Sequence, residues 1–163
     1  MTNILSDAAI QELIAEAKAM PDGLCPLSKK LIERNQHQQR TFEITGAEGG
    51  SFVLYTRQNL INSLDFSAIL GYKMPGFNTV FRLCRYNGKS HTHTNTIEAE
   101  SFHDFHIHTA TERYQRRGGF KEDHFAAIDR RYWSLESAIS CLLDDCGFQR
   151  PYKQFDLFTG PVQ

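Results

Sequence analysis

FRLCRYNGKSHTHTNTIEAESFHDFHIHTATERY, the stretch from Phe81 to Tyr114, decides how the rest of the chain is interpreted. It contains five of the chain's seven histidines, namely His91, His93, His103, His106 and His108. The pair Asn87-Gly88 is the strongest short-range hairpin signal, because both residues accept the positive φ of a type I′ turn. We therefore predict a β-hairpin that turns at these two residues.

Side chains alternate between the two faces of a strand, and this period predicts a polar face around the hairpin. Pairing outward from the turn places Cys84 opposite His91 and Arg82 opposite His93. The next extended run, residues 102–113, alternates again, so its apolar residues face one way and its polar ones the other. If that run lies beside the hairpin, both HxH pairs meet on one face of the sheet. The polar residues expected there are Arg82, Cys84, His91, His93, Asn95, Asp104, His106, His108 and Glu112.

Length and composition indicate an ordinary globular protein. The 163 residues fit one domain, 1–163, and 40% of them are hydrophobic and 23% charged. A net charge of −1 argues against a strongly electrostatic nucleic-acid binder. No apolar run is long enough to span a bilayer, and the N-terminus does not have the pattern of a secretory signal. The four cysteines lack CxxC spacing, so we expect reduced thiols and a cytoplasmic protein with no membrane partner.

The remaining patterns predict an α+β fold. A helix capped by Ser6 begins the chain, and a second helix follows Ser134 with one apolar stripe. Extended runs at 41–45, 51–57, 65–72 and 78–86 precede the histidine-rich stretch. We expect an antiparallel sheet of about five strands, with the N- and C-terminal helices packed on one face and the tail after Pro151 docked on the body.

The histidine-rich region resembles an uncharacterised bacterial domain family of phage-associated and toxin–antitoxin-like loci. That family is marked by an arginine-bearing strand, NG-x-x-H, an Asn shortly after it, and a strand with HxH. The matching residues are Arg82, Asn87, Gly88, His91, Asn95, His106, His108 and the ATERY motif at 110–114, and the resemblance covers about residues 42–148. The chain departs from the family at 96–98, where TIE stands in place of a frequent Pro-Asp-Gly turn. The resemblance implies a bacterial or phage origin and a role in nucleic-acid cleavage or phage conflict.

Metal-free RNA cleavage, as in a small toxin, is the first hypothesis for the histidines. The reaction needs a base for the 2′-hydroxyl proton and an acid for the leaving oxygen, and imidazole serves both near neutral pH. An arginine would stabilise charge on the phosphorane oxygens. The catalytic candidates are His91, His106, His108 and Glu112, and the candidates for phosphate or nucleic-acid contact are Arg82, Asn95, Arg113, Arg116 and Arg117. This hypothesis requires no cofactor.

A metal site is the second hypothesis. Two HxH pairs on neighbouring strands supply three or four imidazoles, which suit Zn²⁺ or Fe²⁺. The spacing of His91, His93 and Glu98 also matches the first metal motif of the cupins, but the second cupin motif is missing. The candidate ligands are His91, His93, Glu98, His106 and His108.

A binding module without catalysis is the third hypothesis. Alternating histidine and threonine, as in His91 to Thr94, also describes a solvated strand face that contacts a partner. The partner would be RNA or a protein such as an antitoxin, bound through the histidine-rich polar face. The sequence leaves the three hypotheses open and does not predict an oligomeric state.

Overall fold

The structure, a computed structural model, describes residues 3–24, 32–119 and 121–150, and it has an α+β fold. The helices are α1 (Asp7–Ala15), α2 (Glu112–Arg117) and α3 (Leu135–Asp145). The strands are β1 (Lys18–Ala19), β2 (Ile32–Arg34), β3 (His37–Thr45), β4 (Ser51–Asn59), β5 (Phe66–Lys73), β6 (Val80–Asn87), β7 (His93–Asn95), β8 (Glu100–Phe102), β9 (His106–Thr109), β10 (Ala126–Ile128) and β11 (Phe148–Gln149).

The main sheet has seven strands in the order β10-β9-β6-β5-β4-β3-β2, and every neighbouring pair is antiparallel. The predicted α+β class and antiparallel sheet are therefore confirmed, but the strand count is higher than the five expected. The two end strands, β2 and β10, are only three residues long and lie in sequence that shows little alternation. Two further pairs lie outside this sheet: β7 with β8, and β1 with β11.

The hydrophobic core joins both terminal helices to the sheet. Ser6 caps α1 and Ser134 caps α3, as their sequences predict. Ile10 of α1 is buried in the same cluster as Ile139 and Leu142 of α3. Because Phe66, Ala68 and Leu70 alternate along β5 and all join this cluster, the sheet face they share is the one that the core covers. The other face is the one that carries the site described below.

The predicted hairpin at Asn87-Gly88 is wrong. Strand β6 pairs with β5 and β9 and not with the segment after Gly88, and neither residue has a positive φ. The Asn87 side chain is buried and accepts a hydrogen bond from the Ser67 hydroxyl at 2.8 Å. The Gly88 N–H donates to the Phe66 carbonyl, and a Cβ at Gly88 would overlap the carbonyl of Leu64. The presence of Asn and Gly at positions 87 and 88 is therefore explained by their contacts with other parts of the fold and not by a tight turn.

Two more local expectations fail. The extended run expected to reach residue 113 ends at Thr109, and Glu112 starts helix α2 because the Thr111 hydroxyl caps that helix. The positive φ values of a type I′ turn occur instead at Asn35 and Gln36, which connect β2 to β3.

Some expectations concern residues outside the part of the chain that is described. These are the docking of the tail after Pro151 and the state of Cys25. The described cysteines, Cys84, Cys141 and Cys146, are free thiols. Within the described ranges, no helix is both long and apolar enough to cross a membrane.

Candidate metal centre

Strand β9 places two histidines on the sheet face that points away from the core. Its odd-numbered neighbour Ile107 packs against the hydrophobic cluster, so His106 and His108 project to the opposite side, as the alternation predicts. The strand lies between β6 and β10, and His108 is opposite Arg85 of β6 and Ala126 of β10. Both imidazoles are buried, with 0% and 3% of the residue exposed.

His93 comes to the same place from a different sheet. It begins β7 of the β7–β8 hairpin and is 7% exposed. Its ring centroid lies 4.6 Å from that of His108 and 5.4 Å from that of His106. One nitrogen from each of the three rings lies within 4.8 Å of the other two, which is a spacing at which a single ion can be shared. We call His93, His106 and His108 the histidine triad.

Hydrogen bonds to backbone carbonyls set the orientation of two triad rings. His106 Nδ1 lies 2.7 Å from the Asp104 carbonyl oxygen, and His108 Nδ1 lies 2.9 Å from the Asp123 carbonyl oxygen. Because a carbonyl oxygen only accepts, each Nδ1 carries the proton and each Nε2 has a free lone pair. Both Nε2 atoms are buried, and no atom of the described residues forms a hydrogen bond with either.

Asn95 sets the third ring. Its side-chain N–H donates to the Ala126 carbonyl at 2.7 Å, and its Oδ1 accepts from the Ala126 N–H at 2.8 Å, so the direction of the amide is fixed. The same Oδ1 lies 3.0 Å from His93 Nε2, which must therefore be the donor. His93 consequently carries its proton on Nε2 and presents the lone pair of Nδ1. All three imidazoles thus have one nitrogen that donates to oxygen and one that can bind a metal.

Burial keeps the triad neutral. Desolvation, reinforced by the positive charge of Arg85, lowers the pKa of His108 to about 2. Desolvation also lowers the pKa of His106 to about 4 and that of His93 below its usual value. Neutral imidazoles are the form that ligates metal ions, whereas they cannot act as proton donors of the imidazolium type near neutral pH.

Two more histidines border the triad. His91 is exposed, and its ring centroid lies 5.6 Å from that of His106. His124 was not among the sequence candidates, yet its ring lies 5.4 Å from His93 and 5.1 Å from Tyr114. No pattern in the sequence marks His124, because it is an isolated histidine in a polar loop.

A charged group lies beside the triad on the same face of the sheet. Asp123 is 0% exposed, and its carboxylate lies 3.0 Å from Arg85 Nε and 3.9 Å from Arg82 Nη1. The Arg85 distance fits an ion pair, although the N–H is not aligned well enough for a hydrogen bond. Arg82 was a sequence candidate for phosphate contact, whereas Arg85 and Asp123 were not. Only the fold brings residue 123 next to β6.

The other sequence candidates lie in different surroundings. The Asn95 side chain is buried and forms hydrogen bonds with the Ala126 backbone and with His93, so it is not presented to a phosphate. Glu98 forms an ion pair with Arg113 and accepts a hydrogen bond from the Tyr114 hydroxyl at 2.7 Å. Glu112 and Arg116 pair with each other along α2, and Arg117 ends that helix on the surface.

No family model matches the chain, and neither a curated protein nor a solved structure shows significant similarity to it.

Proposed function

We propose that the protein binds a divalent transition metal, Zn²⁺ in the first place, through His93 Nδ1, His106 Nε2 and His108 Nε2. The observation that carries the proposal is the pair of buried Nε2 atoms without a hydrogen-bond partner among the described residues. Burying such an acceptor costs about 1–3 kcal/mol, and two of them lie close enough to share one ion. Coordination offsets that cost.

The donor set favours zinc and an open coordination position. Imidazole nitrogen suits Zn²⁺ and also Fe²⁺, while the hard ions Mg²⁺ and Ca²⁺ prefer oxygen ligands. Structural zinc sites have four protein ligands, whereas catalytic sites have three and leave one position for water. In the ranges 3–24, 32–119 and 121–150, the metal-binding group consists of three residues. The site therefore suits Lewis-acid chemistry in which the ion lowers the pKa of a bound water.

Metal analysis of the purified protein tests this function. We expect about one Zn²⁺ per chain by elemental analysis, and binding that returns when chelator-treated protein is refilled. His108→Ala should remove stoichiometric binding, because it deletes one of three ligands. His103→Ala is the matched control, since His103 is an exposed histidine of the same stretch and outside the triad. Equal metal content in the two variants, or none in the wild-type protein after refilling, would refute the proposal.

Metal-free cleavage of RNA, with a role in phage conflict or as a toxin, is the second candidate function. The position of His91 favours it: the exposed His91 imidazole lies next to the buried, neutral His106, so two imidazoles are close enough to serve one reacting phosphate. The test is RNA cleavage by the pure protein in EDTA. Cleavage that persists in EDTA and disappears in His91→Ala supports this route, and cleavage that EDTA removes supports the metal centre.

A further inference from the structure

The charged groups around the triad balance one another, so they would not compensate the positive charge that a metal ion brings. Imidazole binds a metal ion in its neutral form, so three histidine ligands would leave the ion its full double charge. Next to them, the guanidiniums of Arg82 and Arg85 face the carboxylate of Asp123, and Glu122 Oε1 accepts from the Arg82 backbone N–H at 2.8 Å. Two carboxylates balance two arginines. The charge of the ion itself has no counterpart among these groups.

An anion that bridges the ion and an arginine would supply that counterpart. Arg85 is directly opposite His108 across the β6–β9 pair, and residues so placed have Cβ atoms about 4.5–5.5 Å apart. The closest contact of Arg85 with Asp123 runs through Nε, whereas the terminal amino groups carry four of the five N–H donors of a guanidinium. The side chains of Arg85 and Arg82 are 21% and 31% exposed, so they border the solvent while the triad is buried. A ligand would therefore reach the ion from the side of the site on which these two arginines lie.

On the basis of the metal site proposed above, we propose that the centre binds the phosphoryl group of a phosphate ester, with one oxygen on the ion and the others toward Arg85 and Arg82. A phosphoryl group fits because it has several acceptor oxygens on one atom and matches the planar fork of a guanidinium. Asp123 acts as a positioning residue: its carboxylate holds both arginines, and its carbonyl holds His108 Nδ1. One buried residue thus connects the metal ligand to the anion contacts.

Cobalt substitution tests this inference directly. Chelator-treated protein is refilled with Co²⁺, whose visible absorption reports its coordination, and inorganic phosphate is then titrated into it. We expect a saturable change in the Co²⁺ spectrum, together with a binding isotherm by calorimetry. Arg82→Gln should weaken phosphate binding by about tenfold, the effect of one lost charge-assisted contact, and leave Co²⁺ affinity within about threefold. Arg116→Gln is the matched control, since Arg116 lies on α2 and pairs with Glu112.

Arg85 needs a compensated variant. Removing Arg85 alone would leave the buried Asp123 carboxylate short of a partner, which is strongly destabilising. The double variant Arg85→Gln/Asp123→Asn removes both charges and leaves the backbone carbonyl that holds His108. It should bind Co²⁺ and lose the response to phosphate. If the protein folds and binds Co²⁺ but phosphate changes neither spectrum nor heat, or if Arg116→Gln weakens phosphate as much as Arg82→Gln, the inference is wrong while the metal site stands.

The kind of ester is distinguished by turnover. Zinc-loaded protein is given p-nitrophenyl phosphate, a monoester, and bis(p-nitrophenyl) phosphate, a diester, in parallel. In each case a water oxygen would form the new P–O bond, the P–O bond to nitrophenol would break, and the leaving oxygen would take up a proton. Hydrolysis of only one compound assigns the class, and hydrolysis of neither, together with silent phosphate titrations, overturns the proposal. A wild-type protein that binds no metal at all overturns this inference and the proposed function together.

Discussion

Replacing Asn95 with alanine should destabilise the fold and weaken metal binding at the same time. The side chain is 1% exposed and makes three hydrogen bonds: two with the backbone of Ala126 and one with His93. Deleting it leaves the Ala126 N–H and C=O unpaired inside the protein. Because each of these two unsatisfied buried groups costs about 1–3 kcal/mol, we expect a loss of about 2–6 kcal/mol in unfolding free energy.

Metal affinity should fall because His93 loses the group that sets its tautomer. Loss of such an outer hydrogen bond usually costs about 10–100-fold in affinity. Without Asn95, the His93 proton is free to move to Nδ1, which would remove the lone pair that we propose binds the metal. Stability is measured by urea unfolding of chelator-treated protein, so that it does not depend on metal. Affinity is measured separately by competition with a chelator of known strength.

Thr94→Ala is the control for this prediction. Thr94 is the exposed neighbour on the same strand, and its hydroxyl contacts only Ser101 across the hairpin among the hydrogen bonds of the described residues. We expect less than about 0.5 kcal/mol and unchanged affinity, as is usual for surface substitutions. If Asn95→Ala behaves like Thr94→Ala in both assays, the bridge between the β7–β8 hairpin and β10 has no energetic role and the account of His93 fails.

Three further outcomes are expected. Leu142→Ala should cost about 2–5 kcal/mol in urea unfolding, because Leu142 is fully buried on α3; a loss under about 0.5 kcal/mol would place that helix outside the core. Gly88→Ala should cost at least about 1–3 kcal/mol in the same assay, since its Cβ would collide with backbone at Leu64, and a neutral change would contradict that contact. His106 alone should account for about 3 kcal/mol of the stability that metal-free protein loses between about pH 6.5 and the folded pKa of about 4, since the unfolded chain takes up that proton first; His106→Gln should make the slope shallower while His108 keeps its own contribution, and a stability independent of pH would refute it.

Local patterns predicted those parts of the fold that depend on neighbours in sequence. The serine caps and apolar stripe of the terminal helices are confirmed, because capping and helical periodicity act within one or two turns. The opposite orientation of Ile107 and the two β9 histidines is likewise a property of any strand. These features were sufficient to predict that His106 and His108, two of the three triad residues, lie on the same face of the sheet.

Long-range contacts explain what the sequence could not predict. Asn87-Gly88 has the composition of a tight turn, yet its side chain and backbone are used by Ser67 and Phe66 across the sheet. Asn95 was interpreted as a group for a ligand, but its amide is occupied by Ala126, which is 31 residues away in sequence. Nothing near residue 123 in the sequence indicates that its carbonyl holds a histidine of β9.

The two faces of the sheet are covered by different elements, and this difference explains where the triad lies. On the core face, helices α1 and α3 cover apolar side chains. On the other face, the short β7–β8 hairpin brings His93 over β9, and the side chains that it buries there are imidazoles. Apolar residues at these positions would bury without cost, whereas each neutral imidazole needs partners for two nitrogens. The protein supplies an oxygen acceptor for one nitrogen of every ring, and one nitrogen of each ring lies within 4.8 Å of the other two. A cation shared by the three rings would give the buried Nε2 atoms of His106 and His108 the partner they lack among the described residues, and this is the physical reason for proposing a metal ion at this place.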